Sequence, residues 1–253
     1  MGTPNPIAFT IFGMDIMWYG IIIAAAMILS VIIISVRAPK HDFTADKILD
    51  FVLICIPAGV IGARLYYVIF KWDYYAWDIG KIINIRAGGL AIHGGLIVGF
   101  ITAAVLCIVW NYRPLNLLDL TVPVVALAQS IGRWGNYFNT EAHGGPTNLP
   151  WGIMVDGQKV HPTFLYESIW CFLLFLILIF VDNRRQFEGQ TFLLYGILYS
   201  IERFFVEGLR TDSLMLGTIF KQAQVLSLII LIVFIIAYIY LWRKSKYKGR
   251  IFY

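Results

Sequence analysis

Seven long apolar segments constrain the fold of this chain more than any other feature. A helix needs about 20 apolar residues to cross the hydrocarbon core of a bilayer. The segments that approach this length are 16–36, 48–70, 88–110, 115–131, 164–181, 190–206 and 222–242. Two are weaker, because the fourth contains Asp119, Pro123 and Gln129 and the sixth ends on Glu202 and Arg203. The pattern predicts an all-α integral membrane protein with seven transmembrane helices.

Composition supports a membrane protein and excludes several other classes. Hydrophobic residues make up 59% of the chain and charged residues 14%, against roughly half and a quarter in soluble domains. The net charge of +5 lies in short loops and the C-terminal tail, so we expect an anionic membrane surface and no nucleic acid as partner. Cys55, Cys107 and Cys171 fall inside apolar segments without metal-ligand spacing. We therefore expect no metal and no cofactor.

Charge also predicts the orientation of the seven segments. The loops 37–47, 111–114 and 182–189 and the tail carry eleven lysines and arginines, while the segments on the other side carry seven. The positive-inside rule then predicts an N-terminus outside and a C-terminus in the cytoplasm. The loop 132–163 is rich in glycine and proline, which predicts a small extracytoplasmic cap. Without an internal repeat, residues 1–253 are interpreted as a single polytopic domain.

Polar residues gather at the predicted outer ends of six of these segments. A charge within the membrane costs about 2.5–3.5 kcal/mol even on a lenient insertion scale. Such residues either pair to brace the bundle or bind a ligand, and we favour the ligand. Arg64 is interpreted either as a partner of Glu167 or as a ligand contact, and Glu202 as a candidate for facing a neighbouring helix. The residues in question are Tyr19, Arg64, His93, Gln129, Ser130, Arg133, Tyr166, Glu167, Tyr199, Glu202, Arg203 and Glu207.

Two local patterns refine this prediction. Tyr199, Arg203 and Glu207 are spaced four residues apart and share one helix face, with Arg210 shortly after. The simplest interpretation is an Arg203–Glu207 ion pair. His93 lies among four glycines in the segment 88–96. The glycines predict a close approach between helices, and the imidazole is a candidate for moving a proton.

The segment 131–145 concentrates the polar chemistry. Arg133, Asn136, Asn139, Glu141 and His143 lie within eleven residues, interleaved with aromatic residues and four glycines. The guanidinium fork matches phosphate oxygens, and phospholipid headgroups are the phosphates found at this depth. The chain has no G-x-S-x-G motif and no cysteine outside the apolar segments. A direct transfer between two bound substrates is therefore favoured over a covalent enzyme intermediate.

Residues 132–144, Gly-Arg-Trp-Gly-Asn-Tyr-Phe-Asn-Thr-Glu-Ala-His-Gly, resemble the signature of the bacterial phosphatidylglycerol–prolipoprotein diacylglyceryl transferases. The resemblance extends over most of the chain in the order of the family. It departs at Tyr137, where phenylalanine is usual, and at Met17, where a basic residue is expected. The further matching segments are 18–20, 93–96, 161–167 and 199–210.

The resemblance implies a multi-pass enzyme of the bacterial cytoplasmic membrane, which we expect to be a monomer. It would transfer the diacylglyceryl group of phosphatidylglycerol to the lipobox cysteine thiol in the signal peptide of a prolipoprotein. The product is a thioether, and glycerol 1-phosphate leaves. The alternative is a transporter or flippase for an anionic lipid, but such proteins often carry internal repeats and midplane polar groups.

Roles follow for individual residues. Arg133 and Arg203 would bind the phosphate, with Asn136 and Glu141 orienting Arg133 and Glu207 holding Arg203. His93 is one candidate base for the thiol, and the alternative is that nearby arginines lower the pKa of the thiol. Tyr19 and Tyr199 would line the lipid cavity. The catalytic set is His93, Arg133 and Arg203, and the lipid-binding set is Tyr19, Arg133, Asn136, Asn139, Glu141, Gly144, Tyr199, Arg203, Glu207 and Arg210.

Overall fold

The structure is a computed structural model that describes residues 4–85, 88–211, 213–216 and 220–250, with the backbone alone at 220 and 247–250. Arg86 and the side chains of Lys248 and Arg250, which contribute to the charge count, lie outside this description. The described helices are α1 (Trp18–Arg37), α2 (Ala45–Phe70), α3 (Trp72–Tyr75), α4 (Ile79–Ile83), α5 (Ile92–Val109), α6 (Pro114–Phe138), α7 (Thr163–Asp182), α8 (Gln190–Leu209) and α9 (Gln222–Arg250), with a short 3-10 helix at Ala38–His41.

Three antiparallel hairpins complete the described secondary structure. They are β1 (Ile7–Ile11) with β2 (Met14–Met17), β3 (Ile153–Val155) with β4 (Gln158–Val160), and β5 (Met215–Leu216) with β6 (Phe220–Lys221). Phe12 and Gly13 turn the first hairpin with φ of +50° and +76°, which is the backbone sense that matches strand twist in a tight turn. The sequence patterns did not predict these short strands.

The structure confirms a mostly helical protein with membrane-spanning character. Among the described residues, six helices are long and apolar enough to cross a bilayer: α1, α2, α5, α6, α7 and α9. The predicted sixth segment, 190–206, is indeed helical as α8. It is not among these six, because Glu202, Arg203 and Glu207 interrupt its apolar run. The count of seven spans and the orientation of the termini stay predictions.

The chain divides into two compact units, residues 1–33 with 118–253, and residues 34–117. In the smaller unit α2 packs against α5 at glycines. A β-carbon on Gly94 would overlap the carbonyl oxygen of Gly62 and the side chain of Tyr66, and one on Gly95 would lie 3.3 Å from the carbonyl oxygen of Gly59. The glycines beside His93 therefore serve close helix approach, as the sequence predicted.

Arg64 organises the segment between α2 and α5. Its Nε donates to the carbonyl of Ile82 at 2.8 Å, and its two terminal nitrogens donate to four further backbone carbonyls at 2.6–3.0 Å. A guanidinium has five N–H donors, so these bonds satisfy all of them. The prediction that Arg64 pairs with Glu167 is therefore wrong, because its donors hold the segment that leads into α5. A contact of Arg64 with the ligand stays a prediction.

In the larger unit, α6, α7 and α8 share one apolar core. Val122 and Ala126 of α6 pack with Leu174 and Leu178 of α7, and aromatic side chains of α8 cover them. Asp119, fully buried on α6, accepts from the amides of Gly189 at 2.6 Å and of Phe192 at 2.9 Å. This carboxylate satisfies two free N–H groups at the start of α8. Asp119, one of the residues that weakened the fourth predicted segment, thus caps the start of α8.

Helix α6 extends further than the sequence suggested. The predicted span ended at residue 131 and the cap began at 132, whereas the helix continues to Phe138. Gly135, which resembled a turn signal in the sequence, is needed for close packing instead. A β-carbon on Gly135 would lie 2.5 Å from Cδ2 of Tyr19. The absence of a side chain at this position therefore allows the ring of Tyr19, on α1, to pack against α6. Arg133 is consequently a helical residue, and the cap is confined to residues 139–162.

Candidate active site

Two arginines from different helices share one buried carboxylate. Nε of Arg133 on α6 lies 3.0 Å from Oε2 of Glu167 on α7, and Nη1 of Arg203 on α8 donates to Oε1 of Glu167 at 2.9 Å. The side chain of Glu167 is only 1% exposed. Nη2 of Arg203 also pairs with Oε2 of Glu207 at 2.6 Å. We call these four residues the arginine cluster. The predicted Arg203–Glu207 pair is confirmed.

Serine side chains position Arg133 opposite Glu167. The hydroxyl of Ser130 donates to the carbonyl of Ser168 at 2.8 Å, and the hydroxyl of Ser168 donates to the carbonyl of Ser130 at 2.9 Å. Trp134 Nε1 adds a bond to the Ser168 hydroxyl at 3.1 Å. Each serine lies within one helical turn of the ion pair. Because hydrogen bonds between helices are directional, they set the register of α6 against α7.

Helix α8 is held at both ends, which positions Arg203. Asp119 caps its start, and Tyr195 donates to Oε1 of Gln129 on α6 at 2.9 Å. At its end, Lys221 Nζ donates to the carbonyls of Glu207 and Arg210 at 2.7 and 2.6 Å. A cation at the carbonyl end of a helix stabilises the unsatisfied acceptors there.

The two arginines differ in how many donors they leave open. Arg133 uses Nε for Glu167, and within the described part of the chain its Nη1 and Nη2 have no hydrogen-bond or ion-pair partner. Its side chain is 20% exposed. Arg203 commits both terminal nitrogens to carboxylates. The open Nη1–Nη2 edge of Arg133 has the two-pronged shape that can match two phosphate oxygens, while Arg203 is held between two carboxylates.

The segment after α6 folds back through local hydrogen bonds. Asn139 Nδ2 donates to Oε1 of Glu141 at 3.2 Å, and the amide of Glu141 donates to the carbonyl of Asn136 at 3.1 Å. Thr140 and Ala142 adopt positive φ of 53° and 55°, which is a strained conformation for residues with a β-carbon. Asn136 and Glu141 were predicted to orient Arg133. The partner that the structure gives Arg133 is Glu167 instead.

Gly144 and Arg210, both predicted binding residues, are brought together by the backbone. They form an isolated antiparallel bridge, and the amide of Gly145 donates to the carbonyl of Leu209 at 3.0 Å. A β-carbon on Gly144 would lie 2.7 Å from Cβ of His161 and 3.0 Å from the carbonyl of Leu209. Only glycine fits this close approach between the cap and the end of α8.

The tyrosines predicted to line the cavity lie in the larger unit. Tyr19 packs on Gly135 and remains partly exposed. The ring of Tyr199 stacks on Tyr195 with 5.5 Å between centroids, and its hydroxyl is within electrostatic range of Arg133. His93 lies in the smaller unit, in the first turn of α5, with its ring 6.3 Å from that of Tyr66. Its catalytic role stays a prediction.

Sequence reasoning missed two carboxylates of this region as site residues. Glu167 was noted among the polar residues but assigned to Arg64, whereas it holds both arginines of the cluster. Glu202 is 4% exposed, and neither carboxylate oxygen has a hydrogen-bond partner in the described structure. The available signal was that each is an ionisable residue inside an apolar segment. Within the described ranges, no group of three His, Cys, Asp or Glu residues is arranged to hold a metal ion.

Comparison with known proteins agrees with the signature. The sequence model of the prolipoprotein diacylglyceryl transferase family matches residues 6–240. The phosphatidylglycerol–prolipoprotein diacylglyceryl transferase of Clostridioides difficile (strain 630) is 54% identical over 240 residues, covering 95% of this chain and 96% of the relative. The enzymes of that name from Finegoldia magna and Staphylococcus aureus (strain MRSA252) are 51% and 43% identical, covering 97% and 96% of this chain and 96% and 90% of the relatives. The chain therefore belongs to the prolipoprotein diacylglyceryl transferase family.

Proposed function

We propose that this protein transfers the diacylglyceryl group of phosphatidylglycerol to the cysteine thiol of a prolipoprotein lipobox. The new bond is a thioether between the cysteine sulfur and the diacylglyceryl carbon, and glycerol 1-phosphate leaves. The names of the relatives and the open edge of Arg133 support this reaction. The whole chain, residues 1–253, would act as one domain in the cytoplasmic membrane of a bacterium, as a monomer with seven spans, an outer N-terminus and a cytoplasmic C-terminus.

The single observation that carries the proposal is the geometry of Arg133. Glu167 holds its Nε, and Nη1 and Nη2 have no partner in the described part of the chain. A phosphodiester has two oxygens that match this edge, and Arg203 supplies a second positive charge beside it. As the carbon–oxygen bond breaks, negative charge grows on the leaving phosphate. Donors already fixed in place stabilise that charge without reorganisation.

The remaining predicted residues would complete the site. Asn139, Glu141 and the Gly144–Arg210 bridge would surround the glycerol headgroup, and Tyr199 would lie beside the phosphate. Asn136 and Tyr19 would border the lipid. His93 is proposed as the base that takes the thiol proton, since thiolate is the attacking species. The arginines offer the alternative of lowering the pKa of the thiol.

An assay with purified protein, phosphatidylglycerol and a lipobox peptide tests the proposal. We expect a mass gain on the peptide cysteine and release of glycerol phosphate. Arg133→Ala should lower the rate by roughly 100-fold or more, as removal of a transition-state donor does. Arg184→Ala is the matched control, because Arg184 is exposed and packs on the ring of Phe180. Movement of lipid between leaflets without a covalent change would support a flippase instead.

A further inference from the structure

Glu202 is a buried carboxylate that the proposed chemistry does not use. It precedes Arg203 on α8 and is 4% exposed, and Oε1 and Oε2 lack hydrogen-bond partners in the described part of the chain. It lies within electrostatic range of Glu167, Arg133 and Arg203. Burying a carboxylate without a partner is costly, and natural proteins avoid it unless the group has a role.

The ionisable groups around Glu202 come from three helices. Helix α6 contributes Arg133, and α7 contributes Glu167 and the thiol of Cys171. Its own helix contributes Tyr199 and Arg203. The adjacent helix α9 contains no Asp, Glu, Lys or Arg between residues 222 and 242, so it supplies no compensating charge there.

The charges of the arginine cluster balance without Glu202. Arg133 and Arg203 carry two positive charges, and Glu167 and Glu207 carry two negative ones. An ionised Glu202 adds an uncompensated negative charge, and the phosphodiester of phosphatidylglycerol brings another. Like charges repel strongly where water is excluded. Glu167 and Glu207 each lie against an arginine, whereas both oxygens of Glu202 lack a hydrogen-bond partner in the described part of the chain, so Glu202 is the carboxylate available to accept a proton.

We propose that Glu202 takes up one proton when the phosphate of phosphatidylglycerol binds at Arg133. This inference rests on the proposed function, because it assumes that the arginine cluster binds the lipid. The neutral carboxyl group removes the repulsion. The protonated carboxyl group also has an O–H that can donate a hydrogen bond, whereas an ionised carboxylate has no donor. Lipid binding is then coupled to proton binding.

Calorimetry on the full-length protein in detergent measures this coupling. A short-chain phosphatidylglycerol is titrated at one alkaline pH, at which Glu202 of the lipid-free protein is ionised, in two buffers of different ionisation enthalpy, and the difference gives the protons taken up. We expect about one proton for the wild type and none for Glu202→Gln, which is neutral and of similar size. Glu188→Gln, in the loop before α8, is the matched control and should keep the proton uptake.

The pH dependence provides a second readout. Once Glu202 of the lipid-free protein is ionised, the affinity for phosphatidylglycerol should fall about tenfold for each further pH unit. In Glu202→Gln this decrease in affinity with rising pH should disappear.

If the wild type binds the lipid without proton uptake, or if Glu202→Gln takes up the same proton, the role of Glu202 is wrong and the proposed function stands. If the wild type binds no phosphatidylglycerol, both are wrong. If Glu202→Gln does not fold, infrared spectroscopy of the wild type replaces it. A protonated-carboxyl band that appears on adding lipid supports the inference, and the absence of this band contradicts it.

Discussion

Nε of Arg133 lies 3.0 Å from Oε2 of Glu167, and the same carboxylate accepts a hydrogen bond from Arg203. Glu167 is thus the residue through which α6, α7 and α8 are joined at the candidate site. It holds each guanidinium by one edge and determines which donors stay open. Removing it would alter both the stability of the larger unit and the position of both arginines.

We expect Glu167→Ala to be among the most destabilising substitutions in the chain. Removing one partner of a buried ion pair costs about 3–5 kcal/mol, because the remaining charge is left uncompensated. Thermal unfolding of the protein in detergent measures the effect. Lys81→Ala is the matched control, because its pair with Asp78 is about half exposed on both sides, and such pairs contribute roughly 0–1 kcal/mol. Equal stability of the two variants would refute the bridging role of Glu167.

The reciprocal serine bonds between α6 and α7 should behave as one unit. Ser130→Ala and Ser168→Ala each remove a donor across the helix pair, and bonds of this kind contribute roughly 0.6 kcal/mol in membranes. The double variant should lose less stability than the sum of the single variants. Transferase activity should fall as well, because Arg133 and Glu167 lose their register.

Ser30→Ala is the control for the serine pair, since its hydroxyl bonds the carbonyl of Ala26 within α1. Unfolding of the wild type, Ser130→Ala, Ser168→Ala and the double variant gives the coupling energy. Strict additivity of Ser130→Ala and Ser168→Ala would mean that the two hydroxyls do not cooperate.

Two glycines of α5 should respond oppositely to alanine. A β-carbon on Gly94 would overlap the backbone of Gly62, so α2 and α5 would have to separate, and overpacking of this kind costs about 1–3 kcal/mol. A β-carbon on Gly99 would meet no atom within 4 Å. Gly99→Ala should therefore be neutral or stabilise the helix by up to about 1 kcal/mol. Unfolding measurements that give both variants the same sign would contradict this packing.

Arg64→Lys should loosen the segment before α5 although the charge is retained. An ammonium has three donors and no planar fork, so it cannot replace the five bonds of the guanidinium. Amide hydrogen exchange at residues 81–84 should accelerate by roughly tenfold or more. Arg184→Lys, an exposed position, should leave that exchange unchanged. Unaltered protection in Arg64→Lys would show that the loop is held by other contacts.

Local sequence patterns predicted most helices closely. The segments 16–36 and 164–181 correspond to Trp18–Arg37 and Thr163–Asp182, because an apolar run of this length buries its own backbone bonds by forming a helix. The main error lies at the end of α6, where Gly132 and Gly135 resembled a loop. From the sequence alone, glycine is read as a turn residue. In the structure, the missing side chain of Gly135 leaves room for the ring of Tyr19.

The sequence by itself determined the apolar helices, the signature segment and the Arg203–Glu207 pair, because helix formation and four-residue spacing depend on neighbours along the chain. Only the tertiary structure decided that Glu167 joins Arg133 and Arg203, that Arg64 holds a loop, and that Glu202 is buried without a hydrogen bond to any described residue. These relationships depend on the register between helices. That register is set by serine bonds, a carboxylate cap and glycine contacts between residues far apart in the chain, which no local periodicity encodes.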